Sequence, residues 1–130
     1  MAVQLDVIGL VATDMAGTLA FYRRLGLDIP AEADGEPHIE FTLPGGLRLA
    51  WDTNEVMASF DPGFQPGRVG NASLAFRADN PASVDRVYFD MTSAGYHGHL
   101  EPWDAFWGQR YAVLHDPDGR VVDLFAPLPG

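Results

Sequence analysis

The sequence has 130 residues, 47% hydrophobic and 20% charged, which fits one globular domain or two small repeats sharing a core. Eighteen Asp and Glu against eight Lys and Arg give a formal net charge of −10 and a pI near 4.5, a surface that repels phosphate backbones and anionic lipid. With no cysteine, disulfides, thiol nucleophiles and thiolate metal sites are excluded, so any metal needs His, Asp, Glu or Gln.

No apolar run approaches the length that crosses a bilayer, and residues 1–10 carry neither a basic segment nor a small-residue cleavage site. A cytoplasmic protein is expected. Residues 3–12, VQLDVIGLVA, mix alternation with a β-branched run and predict a first strand. Thr13 and Asp14 are candidate caps for a helix over residues 15–25, with Leu19, Tyr22 and Arg23 at helical spacings and Gly26 as its stop. Residues 37–43 alternate His38, Glu40 and Thr42 with Ile39, Phe41 and Leu43, and Pro44-Gly45-Gly46 turns the chain into a partner strand at 47–52. Residues 53–68 hold Pro62, Gly63, Pro66 and Gly67 without periodicity and read as a connector with a short helical turn near 55–59.

The second half restarts the programme. A strand at 71–77 precedes a helix at about 81–94, capped by Asn80 and stopped by Gly95. Strands follow at 97–101, 109–114 and 120–125, the last two joined by Asp116-Pro117-Asp118-Gly119. This repeat implies an α+β fold of two βαβββ modules in a single domain, about 1–52 and 69–130, because one small curved sheet cannot bury both faces alone. Helices are expected on the convex faces, over Ile8, Leu10, Ile39, Phe41, Leu47, Leu49, Trp51, Leu74, Phe76, Val122 and Leu124, with Phe21 and Phe89 as further core candidates.

Strand parity then aims His38, Glu40, Thr42, Arg48 and Asp52 into the concave cup, joined from the second module by Gln109, Tyr111 and Val113 with Trp107 in phase. Trp103 and Trp107 fall in a connection containing Pro and Gly, where a large ring needs a partner surface, so both are read as ligand or dimer contacts. Aromatic rings from one module and polar groups from the other suit a small, planar, partly polar ligand. Glu40 and Asp123 are candidate acceptors or bases, and Arg48 and Arg110 are candidates to pair with them. His97, His99 and His115 are read as solvated or locally bonded histidines, since only the His97-Gly98-His99 pair is close in sequence.

The pieces Thr13-Asp14-Met15, LAFYRRLGL at 19–27, Trp107-Gly108-Gln109-Arg110-Tyr111 and DPDG followed by VVDLF resemble the vicinal oxygen chelate superfamily of glyoxalases, dioxygenases and bleomycin-resistance proteins over nearly the whole chain. Within it, DMAGTLAFYRRLGLDIPAEAD, GGLRLAWDT, GHLEPW and WGQRYAVLHDPDGRVVDLFAPLP are similar to the mitomycin-binding resistance proteins. That likeness implies a homodimer with modules exchanged between subunits, sequestering a planar aromatic or quinone antibiotic without turning it over. The superfamily's metal positions correspond to Val7, Ala50, Ser73 and Asp123, of which only Asp123 offers a good ligand, and a catalytic divalent ion takes about three. No metal and no cofactor is therefore expected, and ligand contacts are expected from His38, Glu40, Arg48, Asp52, Trp103, Trp107, Tyr111 and Asp123. The alternative is a lyase, isomerase or epoxide-opening enzyme acting on a small oxygenated metabolite, using a metal in a displaced site or Glu40 or Asp123 as base.

Overall fold

A computed structural model describes residues 2–130 and divides them into two compact units, the first ending at Arg68 and the second beginning at Val69. No helix among the described residues is long and apolar enough to cross a membrane.

The first unit runs β1 (Val7–Ala12), α1 (Met15–Leu25), a 3-10 turn (Ala31–Gly35), β2 (His38–Thr42), β3 (Arg48–Thr53) and α2 (Asn54–Phe60). Its sheet has the order β1-β3-β2, with β1 parallel and β2 antiparallel to β3. Met15, Thr18, Leu19, Phe21 and Tyr22 recur at helical spacing and are all buried, which gives α1 one apolar face. That face meets Trp51, a fully buried ring whose centroid lies 5.3 Å from that of Tyr22. Gly26 ends α1 in a left-handed conformation, with its N–H donating to the carbonyl of Arg23. Arg23 then reaches back over the following turn, donating to the carbonyls of Ile29 and Pro30 and pairing with Asp34 at 2.8 Å.

The second unit runs β4 (Ser73–Arg77), α3 (Pro81–Ser93), β5 (His97–Ala105), β6 (Gln109–His115) and β7 (Val121–Pro127), with sheet order β4-β7-β6-β5 and β4 parallel to β7. Asn80 caps α3 by accepting from the N–H of Ser83 at 2.9 Å, and Pro81 occupies a first-turn position whose N–H has no helical partner. Val84, Tyr88 and Met91 bury α3 against one face of the sheet. In the turn from β6 to β7, Asp116 accepts from the N–H groups of Asp118 and Arg120 and pairs with the Arg120 guanidinium at 2.5 Å. Both side chains of that pair are almost wholly buried, so the turn is held by a desolvated ion pair.

The α+β class with two mixed sheets and helices packed on them is as expected, with four differences of detail. The first strand begins at Val7 instead of residue 3, because β3 offers its first ladder partner at Arg48. Where a complete βαβββ module has a fourth strand, the first unit has α2: the Thr53 side chain accepts from the N–H of Val56 at 3.3 Å, and Glu55, Met57 and Ala58 favour helix. The first sheet therefore has three strands and the second four. β5 extends to Ala105, so Trp103 lies within a strand instead of a connection. Phe89 is 49% exposed, since its neighbour Tyr88 takes the buried face of α3.

The two units share one internal register. In the first, Val7 lies opposite Arg48 and Gly9 opposite Ala50; in the second, Ser73 lies opposite Val121 and Ala75 opposite Asp123.

Candidate functional site

Each sheet has a face turned away from its helix, and the side chains there follow from strand parity. In the first unit the pairs His38–Asp52, Glu40–Ala50 and Thr42–Arg48 share that face. They form one chain of alternating charge. Asp6 pairs with Arg48 at 2.6 Å, Arg48 with Glu40 at 2.5 Å, Glu40 with His38 Nε2 at 2.9 Å, and His38 Nδ1 with Asp52 at 2.6 Å.

Hydrogen bonds to Glu40 and then Asp52 raise the His38 pKa above 6.5, while bonds from His38 and Arg48 hold Glu40 below 4.5. With both ring nitrogens engaged by carboxylates, His38 has none free to act as a base or a metal ligand. Sequence reasoning brought His38, Glu40, Arg48 and Asp52 to one face; it missed Asp6, which precedes β1 and extends the chain of charges. It also missed an open cleft of about 360 Å³ lined by Ile29, Pro30, Glu32, Ala33, Glu36, Ile39 and Glu40.

In the second unit the corresponding face carries Tyr111, Val113 and His115 of β6, with Asp123 opposite Val113 on β7 and Trp103 opposite Tyr111 on β5. Trp103, Trp107 and Tyr111 touch one another edge-on, with centroids 5.2–6.1 Å apart and planes inclined by 67–90°. Trp107 sits in the turn between β5 and β6, 48% exposed, and its indole N–H donates to Gln109 at 2.8 Å. Phe106, almost fully exposed, adds an edge to Trp107 at 5.0 Å.

The Tyr111 hydroxyl donates to Asp123 Oδ2 at 2.6 Å, and the Ser73 hydroxyl reaches the same oxygen at 3.4 Å. Burial and then the Asp123 carboxylate push the Tyr111 pKa up to about 12, so the hydroxyl stays a donor at neutral pH. Arg110, a candidate partner for Glu40 or Asp123, instead lies on the helix side and pairs with Asp85 and Asp104. Its parity is opposite to that of Tyr111, which puts Asp123 on the other face.

The histidines form a cluster that sequence spacing does not reveal. His97 lies opposite His115, and a register shift between Gly98 and Leu100 leaves His99 unmatched on β6. The His115 ring stacks on both others, at 4.9 Å from His97 and 4.7 Å from His99. One nitrogen from each lies within 4.8 Å of the others. Burial, then the charges of His99 and His97, lowers the His115 pKa below 6.5. The signal that would have found this cluster was the β5–β6 register, which sequence spacing alone does not supply.

The superfamily's chelate positions do not fit a divalent metal. Val7 and Ala50 offer no donor atom, Ser73 offers a hydroxyl, and the Asp123 oxygen nearest it already accepts from Tyr111. Two weak or committed donors fall short of the roughly three protein ligands a catalytic ion takes.

Residues 4–124 match the family model of the Glyoxalase/Bleomycin resistance protein/Dioxygenase superfamily. The chain belongs to this superfamily. A glyoxalase-related enzyme from Fulvimarina pelagi is similar at a TM-score of 0.79 and 20% identity, covering 95% of this chain and 87% of that one. A glyoxalase/bleomycin resistance protein/dioxygenase from Nocardioides is similar at 0.74 and 22%, covering 98% and 85%. A lactoylglutathione lyase from Agrobacterium tumefaciens is similar at 0.67 and 23%, covering 95% and 92%. No curated protein matches the chain. At these identities the solved structures establish the superfamily's fold, and the chemistry must be argued from the residues present.

Proposed function

We propose that the protein binds a planar aromatic or quinone ligand, of the mitomycin or bleomycin kind, and sequesters it without converting it, as a cytoplasmic homodimer with exchanged modules. The observation that carries this reading is the mutually edge-on set of Trp103, Trp107 and Tyr111 beside the Asp123 carboxylate. In an edge-to-face contact one ring covers part of another's face, so the platform for a flat ligand is the half-exposed Trp107 at the outer side of the set. Each such contact contributes about 0.5–1.5 kcal/mol beyond the area it buries, so two platforms plus burial reach useful affinity without chemistry. Tyr111, held protonated, and Asp123 then orient polar substituents.

Three features favour binding over turnover. The chelate positions fall short of a full donor set, His38 has both nitrogens engaged, and Glu40 is a weak base whose two oxygens are taken by His38 and Arg48. The rival reading is a lyase, isomerase or epoxide-opening reaction; likeness to a structure named lactoylglutathione lyase supports it, with Asp123 as the base. Titration with mitomycin-type quinones, followed by tryptophan fluorescence and recovery of the ligand, separates the two. Saturable quenching with unaltered ligand supports sequestration, whereas a converted product, or quenching unaffected by Trp107→Ala, overturns it.

A further inference from the structure

We propose that His97, His99 and His115 form a binding site for a first-row divalent transition-metal ion of the zinc, nickel or copper class, separate from the superfamily's chelate positions. Three of the chain's four histidines gather at one point, in a protein with a net charge of −10. Two come from β5 and one from β6, so adjacent antiparallel strands present all three.

The backbone fixes this presentation. Gly98, between the two β5 histidines, faces α3: a Cβ there would lie 2.1 Å from the Tyr88 hydroxyl oxygen and 2.8 Å from Thr92 Cγ2. With Gly98 seated under the helix, alternation turns His97 and His99 to the opposite face, where His115 stands across from His97. The irregularity at His99 brings it beside the same ring.

The donor set selects the ion. Imidazole nitrogens suit zinc, copper and nickel, and the absence of a carboxylate from the three argues against magnesium and calcium. Zinc–nitrogen bonds of about 2.05 Å place tetrahedral ligand nitrogens about 3.3 Å apart, so nitrogens now within 4.8 Å must close by up to about 1.5 Å. His97 and His99 are exposed and free to make that adjustment by side-chain rotation. Three protein ligands leave a fourth position for water or a small anion.

The site stands apart from the aromatic cluster. On β6, Val113 separates His115 from Tyr111, so metal binding and ligand binding are tested independently.

The experiment is calorimetric titration of tag-free, chelator-stripped protein with zinc chloride, alongside NMR of the imidazole resonances. The expected result is one zinc per chain, with His97, His99 and His115 resonances shifting and those of His38 unmoved. His99→Ala and His115→Ala, checked for folding by circular dichroism, should each weaken binding roughly tenfold or more, while His38→Ala leaves it unchanged. Magnesium should not compete. Absence of saturable binding, zinc shifts centred on His38, or equal affinity in a folded triple-alanine variant would each overturn the proposal.

Discussion

The hydroxyl of Tyr111 donates to Asp123 at 2.6 Å, tying the centre of β6 to its neighbour β7 within the second unit's open face. Asp123 is only 9% exposed, so losing that donor leaves a poorly solvated carboxylate short of a partner. Tyr111→Phe should destabilise the fold by about 1–3 kcal/mol, and Asp123→Asn, which keeps an acceptor, by less. Urea unfolding with unchanged m-values reads the difference. Equal stability of Tyr111→Phe and the parent would remove this bond from the account.

That same bond is visible in the tyrosine titration. Asp123→Asn should bring the Tyr111 pKa down from about 12 only part of the way to 10, because burial is the larger cause and persists. Ultraviolet absorbance of tyrosinate against pH reports it, and a complete return to 10 would assign the shift to the carboxylate alone.

His38 links stability to pH in a definite direction. A histidine raised above 6.5 stabilises the fold fully below that value and loses its contribution as pH rises through the folded pKa; a glutamate held below 4.5 stabilises above 4.5 and loses it as pH falls. The Asp6–Arg48–Glu40–His38–Asp52 chain is therefore at full strength between pH 4.5 and 6.5. His38→Gln should lower Tm most near pH ~5.5 and much less near pH ~9. A Tm difference that stays flat over this range contradicts the pairing.

Gly98→Ala drives a methyl into the Tyr88 hydroxyl and should cost about 1–3 kcal/mol by overpacking. Tyr88→Phe in the same chain removes the closest atom and should restore part of the loss. Thermal unfolding of both variants checks it; a silent Gly98→Ala would mean that β5 and α3 are less closely apposed than described.

Trp107→Ala should weaken binding of a planar quinone by roughly threefold to tenfold while leaving stability within about 0.5 kcal/mol, because the ring is half exposed. Trp103→Ala, in a strand with a less exposed ring, should reduce both. Fluorescence titration and urea unfolding on the two variants separate ligand contact from packing.

Much of the architecture was legible because local signals were strong: Asn80-Pro81 at a helix start, Gly26 at a helix end, and alternation through His38–Thr42. The first module's missing strand was not: the segment after β3 read as a connector with a short helical turn near 55–59, and that turn is α2, capped by Thr53, in place of a fourth strand. Parity also placed His38, Glu40, Arg48 and Asp52 together, but not the bonds between them, which depend on the β2–β3 register. The His97–His99–His115 cluster was illegible for the same reason: cross-strand register and a local irregularity, neither encoded in spacing, bring His115 to the other two. Trp103 was misplaced because Pro102 suggested a break, whereas β5 is the edge strand of its sheet, where a proline is tolerated.

The most direct test is a crystal structure of the protein with a mitomycin-type quinone bound. The expected result is an intact ring system lying against Trp103, Trp107 and Tyr111, with a polar substituent within hydrogen-bond reach of Tyr111 or Asp123. A ligand seated instead in the cleft lined by Ile29, Ala33 and Ile39, or present as a reaction product, would contradict sequestration on the aromatic face.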